Sequence, residues 1–302
     1  MIEINDYKPL ALKDKNLFAE HYKKYPQDHS EYTFTGLVAW SDYMQPYYFF
    51  RNENLYLMNM RDGKPQFRLP IGEPTDSEIK DVLEIARKKG GERPIIAVTD
   101  QQIKPIQRCC PNVKINEDRN FWDYVYLSKD LAELEGKHYQ SNRNHIRQFN
   151  KKFNHTVEPL SSENLGDAKK FLDRWCLWRE CEKQTMLAEE RKAILYCMKN
   201  YAELGLSGTA IRINGQIQAI SVFEELNKET AVVHFEKAMP DYEGLYQTIN
   251  NESAKTLAPK YKYINRESDL GIPGLRTTKT RLNPDHMEKL YYINHGDLSL
   301  KD

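Results

Sequence analysis

The dipeptide Asn214-Gly215 constrains this chain more than any other feature. It joins Gly208–Ile213 to Gln216–Glu225, two runs in which apolar and polar residues alternate. Asn-Gly adopts the two left-handed conformations of a type I′ turn at little cost, and that turn matches the twist of paired strands. The stretch reads as a β-hairpin, and Thr230–Lys237 follows as a third strand. A meander has two faces and cannot bury both by itself, so helices must cover it. Asn164–Glu182, Leu187–Leu204 and Gly244–Leu257 have the apolar spacing of helices, and Tyr261–Asn265 reads as a further strand.

The first half has the same grammar. Tyr47–Arg51, Leu55–Met60 and Gln66–Pro70 read as strands separated by turn-forming residues. Thr75–Lys89 reads as a helix, capped by Thr75 or Asp76 and ended by Gly90-Gly91. Two similar mixed halves in 302 residues point to a duplicated α+β fold. Ser128–Gly136 is the natural join, which divides the chain into residues 1–132 and 133–302.

Composition removes several function classes. Lys+Arg and Asp+Glu both number 44, so bulk electrostatic coating of DNA or membrane is not expected, although a local basic groove is allowed. The five cysteines form no C-x-x-C, which argues against a disulfide scaffold or structural zinc and for a reducing, cytoplasmic location. No metal site is expected. No apolar run approaches the ~20 residues of a transmembrane helix. Neither a Walker A loop nor G-x-G-x-x-G occurs.

Three stretches could carry chemistry. The first runs from Tyr263 to Pro284 and packs Asp269, Gly271, Pro273 and Gly274 ahead of Arg276, Lys279 and Arg281. Rigid loops at strand ends are where sites gather. The second is Val232–Tyr246, where strict alternation puts Val232, His234 and Glu236 on one face and Val233, Phe235 and Lys237 on the other. The third is a helix over Gln140–Lys152, whose Arg143, Arg147 and Lys151 recur every four residues. Like charges so placed repel, so this face suits an anion or a solvent-screened surface.

The run Asn265-Arg-Glu-Ser-Asp269-Leu-Gly271-Ile-Pro-Gly274-Leu-Arg276-Thr-Thr-Lys279-Thr-Arg281-Leu-Asn-Pro284 resembles soluble relatives of the catalytic domain of phosphatidylglycerol lysyltransferases. Arg143-x-x-x-Arg147-x-Phe149 and Tyr242-x-Gly244-x-Tyr246 fit the same family. The resemblance implies two tandem GNAT-like domains, as in Fem-type aminoacyltransferases, each a mixed, mostly antiparallel sheet flanked by helices. The second domain would carry the site. It further implies an acyl or aminoacyl transferase with no tightly bound cofactor. Acyl-CoA or aminoacyl-tRNA would be the co-substrate, and a small molecule or lipid head group would offer an amine or hydroxyl. Glu236 or Asp269 would be the base or orienter. Arg143, Arg147, Lys237, Gly244, Tyr246, Arg276, Lys279 and Arg281 would bind donor phosphate. Arg281 stands where the lysyltransferases commonly have Lys. The alternative is a catalytically inactive GNAT-like module for an anionic ligand. Contact with tRNA or with a membrane surface is left open.

Overall fold

The structure, a computed structural model, describes residues 2–300. Its contacts divide into two units, Met1–Trp122 with Lys289–Asp302, and Asp123–Glu288.

The first unit contains helices α1 (Lys15–Lys24), α2 (Phe34–Ala39), α3 (Ser41–Met44), α4 (Asp76–Lys89) and α5 (Asp100–Cys109). Its strands are β1 (Lys8–Pro9), β2 (Pro46–Arg51), β3 (Asn54–Arg61), β4 (Lys64–Phe67), β5 (Ile95–Thr99) and β6 (Asn116–Glu117). The second unit contains α6 (Ser128–Glu133), α7 (Gln140–Lys152), α8 (Leu165–Arg179), α9 (Thr185–Lys199), α10 (Tyr201–Leu204), α11 (Leu245–Leu257) and α12 (Pro273–Arg281). Its strands are β7 (Asp123–Leu127), β8 (His155–Pro159), β9 (Ser207–Ile213), β10 (Gln216–Glu225), β11 (Thr230–Ala238), β12 (Tyr263–Asn265) and β13 (His286–Glu288). A last strand, β14 (Leu290–Ile293), returns to the first unit.

Each unit has a seven-stranded sheet, ordered β1-β2-β3-β4-β5-β14-β6 in the first and β13-β7-β12-β11-β10-β9-β8 in the second. Each sheet has a single parallel join, β4 with β5 and β11 with β12; all other pairs are antiparallel. Read from β1 and from β8, both sheets have four antiparallel strands, the parallel join, then three more antiparallel strands. This is the duplicated α+β fold.

The boundary differs from the expected 132/133. β7 and α6, read as the end of the first half, belong to the second unit, where β7 lies between β12 and β13. The matching place in the first sheet is filled by β14, from the other end of the chain. Composition cannot reveal such an exchange, because it depends on which sheet edge each strand meets.

The Asn214-Gly215 turn has positive φ at both residues, 49° and 77°, and pairs Gln216 with Ile213. In the first unit, α4 is started by Thr75 and Glu78, which cap each other's N–H groups. Its Ile79, Val82, Leu83 and Ala86 are buried against Tyr56, Phe67 and Ile95 of the sheet. Each of Ile79, Val82 and Leu83 contributes about 1.5–3 kcal/mol by leaving water, and Ala86 less. In the second unit, Ala254 and Leu257 of α11 pack with Phe223, Ala231 and Val233. Leu245 and Ile249 of the same helix join Phe149 of α7 and Ile211, Ile213, Ala219 and Ala238 of the sheet.

Candidate active site

The second sheet opens where β11 outruns β12. The parallel pairing covers only Thr230–Tyr263, Ala231–Ile264 and Val232–Asn265, while β11 continues to Ala238. Beyond Val232 the edge of β11 has no strand partner on this side, so alternate N–H and C=O groups face the split.

At the same place β11 is bulged. Phe235 lies opposite Val222 and Val233 opposite Phe223, which leaves His234 as the extra residue. A bulge shifts the alternation of side chains. Val233 faces α11 before it, and Ala238 faces α11 after it. Glu236 also reaches α11, through Asn250. Lys237 lies on the opposite face, paired at 2.8 Å with Glu190 of α9 and 4.7 Å from the centre of the Trp175 ring of α8. The expected face shared by Val232, His234 and Glu236 is therefore broken, because strict alternation assumed a regular strand.

Glu236 is the buried carboxylate at the opening. Its Oε1 accepts from Arg266 Nη2 at 2.7 Å, and the two side chains are 8% and 15% exposed. Burial raises the Glu236 carboxyl above its ordinary value, and the Arg266 charge offsets only part of that rise. Asn250 turns its amide oxygen to the same guanidinium. The Tyr246 hydroxyl donates to the Glu236 carbonyl at 3.4 Å, although Tyr246 as a whole is 43% exposed. Directly opposite Glu236 on the neighbouring strand β10 lies Ser221, whose buried hydroxyl has no hydrogen-bond partner among the described residues.

His234 is buried between two carboxylates, with Nδ1 2.8 Å from Glu267 Oε1 and Nε2 2.8 Å from Glu224 Oε1. Burial alone would favour the neutral ring. The hydrogen bonds and charges of Glu224 and Glu267 outweigh it and raise His234 to about 10. His234 is therefore a fixed imidazolium and not a base at neutral pH.

The loop after β12 is built around two further charged groups. Asp269 is fully buried and accepts from Tyr124 Oη at 2.7 Å, Gly271 N at 2.8 Å, and Arg276 Nε at 2.9 Å and Nη2 at 3.0 Å. Burial would raise its carboxyl, but these donors and the Arg276 charge bring it down to about 2. Lys279 is the second group. Its Nζ donates to the carbonyls of Arg266 at 2.5 Å, Glu267 at 3.1 Å and Ser268 at 2.7 Å. Burial, followed by the Arg266 charge, lowers Lys279 to about 8. The strap holds Glu267, Leu270 and Gly271 at φ of 57°, 52° and 73°, conformations in which non-glycine residues are strained.

The expected site residues therefore separate. Glu236 lies at the split, while Asp269 and Arg276 organise the loop beside it. Lys279, expected on phosphate, spends its three protons on backbone carbonyls. Lys237, expected with Glu236, is across the sheet in an ion pair. Arg281 is exposed on α12. Gly244 has φ of 88°, and a Cβ there would lie 2.5 Å from the His145 carbonyl oxygen. It serves the close approach of α7 to the start of α11.

Arg143 and Arg147 line a separate open cleft of about 400 Å³ between α6, α7 and α11, with Lys151 and Lys255. Arg143 is committed to the carbonyls of Leu134 and Gly136 at the end of α6. Arg147 and Lys151 have no ion-pair partner among the described residues. Sequence reasoning missed Arg266, Asn250, Ser221, Tyr124 and the Glu224–His234–Glu267 trio. Arg266 had a signal, since it directly follows an expected strand at the head of the quoted run.

A sequence model described as "Phosphatidylglycerol lysyltransferase, C-terminal" matches residues 22–294. The chain belongs to this family. A conserved protein of unknown function from Bacteroides thetaiotaomicron has the same fold, with a TM-score of 0.88 at 28% identity over 95% of this chain and 98% of that one. L-PGS from Bacillus licheniformis gives 0.63 at 12% identity, over 93% and 92%. A tandem GNAT protein from the clavulanic acid biosynthesis pathway gives 0.51 at 10%, over 96% and 98%. The last two speak for the fold alone, and with it the two units are tandem GNAT-like domains. An uncharacterised protein of Mycoplasmoides gallisepticum is 25% identical over 174 residues, 57% of this chain and 55% of that protein. The match thus spans about half the length of that curated relative. Among the described residues no helix is long and apolar enough to cross a membrane.

Proposed function

We propose that this member of the phosphatidylglycerol lysyltransferase C-terminal family is an aminoacyltransferase. In this reading it moves an aminoacyl group from aminoacyl-tRNA to an amine or hydroxyl, and a lipid head group is the first acceptor to test. The observation that carries the reading is Glu236, a buried carboxyl with a raised pKa where β11 runs on past its pairing with β12.

Glu236 takes the proton of the attacking amine or hydroxyl as that atom bonds to the aminoacyl carbonyl. The ester bond to the terminal ribose then breaks, and the ribose oxygen leaves with a proton. N–H groups on the edge of β11 beyond its pairing with β12 stabilise the developing oxyanion. Asp269 is a poor base, because four donors already occupy it; it positions the loop. Donor phosphates lie along Arg147 and Lys151. An acyl-CoA pyrophosphate at the start of α11 is disfavoured, since the backbone of α7 packs against Gly244 there.

The ion pair of Glu236 with Arg266 favours a second reading, a catalytically silent module that binds an anion in the α7 cleft. The two separate in one experiment, in which the native protein and Glu236→Gln are given labelled aminoacyl-tRNA and candidate acceptors. Transfer by the native protein, lost in the variant with tRNA binding intact, supports the enzyme. Binding without turnover in both supports the silent module.

A further inference from the structure

We infer that Ser221 is a positioning residue for Glu236, and that its buried hydroxyl receives the hydrogen bond of that carboxyl once the carboxyl has taken a proton. The inference deepens the transfer reading and rests on it for the path of the proton.

The register brings the two side chains together. Ser221 lies opposite Glu236 within a regular run, with Ile220 opposite Lys237 and Val222 opposite Phe235. Residues so paired project from one face of the sheet, with Cβ atoms about 4.5–5.5 Å apart. That face is the one under α11. Ala219 and Phe223, two residues to either side of Ser221, pack with residues of α11, and Glu236 reaches Asn250 of the same helix. The next strand continues the row, because Thr209 of β9 lies opposite Ser221 and is also buried. Thr209, Ser221 and Glu236 form a polar row under α11, flanked by Ile211, Ala219 and Phe223.

Ser221 is 0% exposed, and its Oγ has no hydrogen-bond partner among the described residues. An unpaired buried hydroxyl is unfavourable, and alanine would occupy the place without that cost. The protonation of Glu236 supplies the missing partner. As a carboxylate, Glu236 only accepts, and Arg266 Nη2 donates to it at 2.7 Å. On taking a proton it loses the charge that holds the guanidinium and gains an O–H that needs an acceptor. The charged and titratable groups around it are Arg266 of the loop, Lys279 of α12, Tyr246 of α11 and Tyr126 of β7. The two cations can only donate. The two phenol hydroxyls already point at backbone carbonyls, Tyr246 at that of Glu236 and Tyr126 at that of Lys279. Ser221 Oγ is the acceptor that the register places beside Glu236. The proton of the attacking amine or hydroxyl passes to Glu236, is held there by the bond to Ser221, and leaves with the ribose oxygen. The serine itself forms and breaks no covalent bond.

The first test needs no donor. The Glu236 carboxyl is titrated by carbon NMR in the full chain labelled at its glutamate carboxyls, with the resonance assigned by its loss in Glu236→Gln. A hydrogen bond to the neutral form raises a carboxyl pKa. Ser221→Ala therefore lowers that of Glu236 by roughly half to one unit, the effect of one neutral hydrogen bond. Thr209→Val, which removes a hydroxyl one strand further along the row, leaves the titration where it was. The Tm of Ser221→Ala equals or exceeds that of the native chain. An unmoved or raised titration in Ser221→Ala, an equal shift in Thr209→Val, or a fall in Tm that reveals a standing partner such as a bound water would each overturn the proposal. With aminoacyl-tRNA and an acceptor present, Ser221→Ala moves the acid limb of kcat to lower pH by the same shift at unchanged KM, and a limb that stays in place overturns it too. A native chain that transfers nothing while the NMR shift appears would sink the transfer reading and leave the Ser221–Glu236 bond standing.

Discussion

Asp269→Asn is expected to remove much of the stability of the second unit. The native carboxylate is fully buried and takes four hydrogen bonds, two from one guanidinium. Its carboxyl falls from an ordinary ~3.9 to about 2, and at 1.36 kcal/mol per unit this gives about 2.5 kcal/mol at neutral pH. Direct loss of a buried ion pair points to the same range, at its lower end because Arg276 is 39% exposed and can rehydrate. For a unit of this size that is a fall in Tm of roughly 5–10 °C. The folded carboxyl lies below its unfolded value. The stabilisation is therefore complete above pH ~5 and is lost as the pH falls towards 2, with about half remaining at pH 3. Urea unfolding of both proteins between pH 7 and pH 3 reads this directly. A gap below ~1 kcal/mol at pH 7, or one that does not shrink towards pH 3, would refute the view of Asp269 as the charged organiser of the loop.

Three further outcomes are expected. His234 should titrate near 10 in NMR of histidine-labelled protein; its contribution to stability is then complete below pH ~6.5 and lost as pH rises through 10, and a pKa near 6.5 would contradict the two-carboxylate clamp. Gly244→Ala should cost at least ~2 kcal/mol in thermal unfolding, since it adds a left-handed alanine to a contact of 2.5 Å with the His145 carbonyl. Arg147→Ala with Lys151→Ala should weaken tRNA binding and reduce the magnitude of the slope of log K against log salt by about 1.5, which filter binding at several salt concentrations would show.

Sequence alone revealed much of the architecture and little of the site's wiring. The Asn214-Gly215 turn fixed a register that the fold retains, because its two left-handed residues are local chemistry. Three helices escaped, and one of them, α6, lies in the stretch read as the join. α5 carries Pro105 in its interior, which ordinarily argues against a helix. α12 starts with Pro273 at its first turn and buries nothing, so no apolar stripe announced it, and its Pro-Gly read as a turn. The bulge at His234 left no mark on a run of alternating residues, yet it decides which side chains meet Glu236. Charged partners were the least legible. Lys279 and Arg276 lie three apart on one short helix and look alike in sequence, but one straps carbonyls and the other clamps Asp269. That difference arises from burial, which depends on β7 and β12 coming together from distant parts of the chain.

The most direct test of the central claim is mass spectrometry of transfer products in an extract of cytosol and lipids, with native protein or Glu236→Gln, with and without RNase. The account predicts a new aminoacylated product with the native protein, abolished by RNase and reduced at least roughly 100-fold in the variant. A product that survives RNase, or one made equally well by Glu236→Gln, would contradict it.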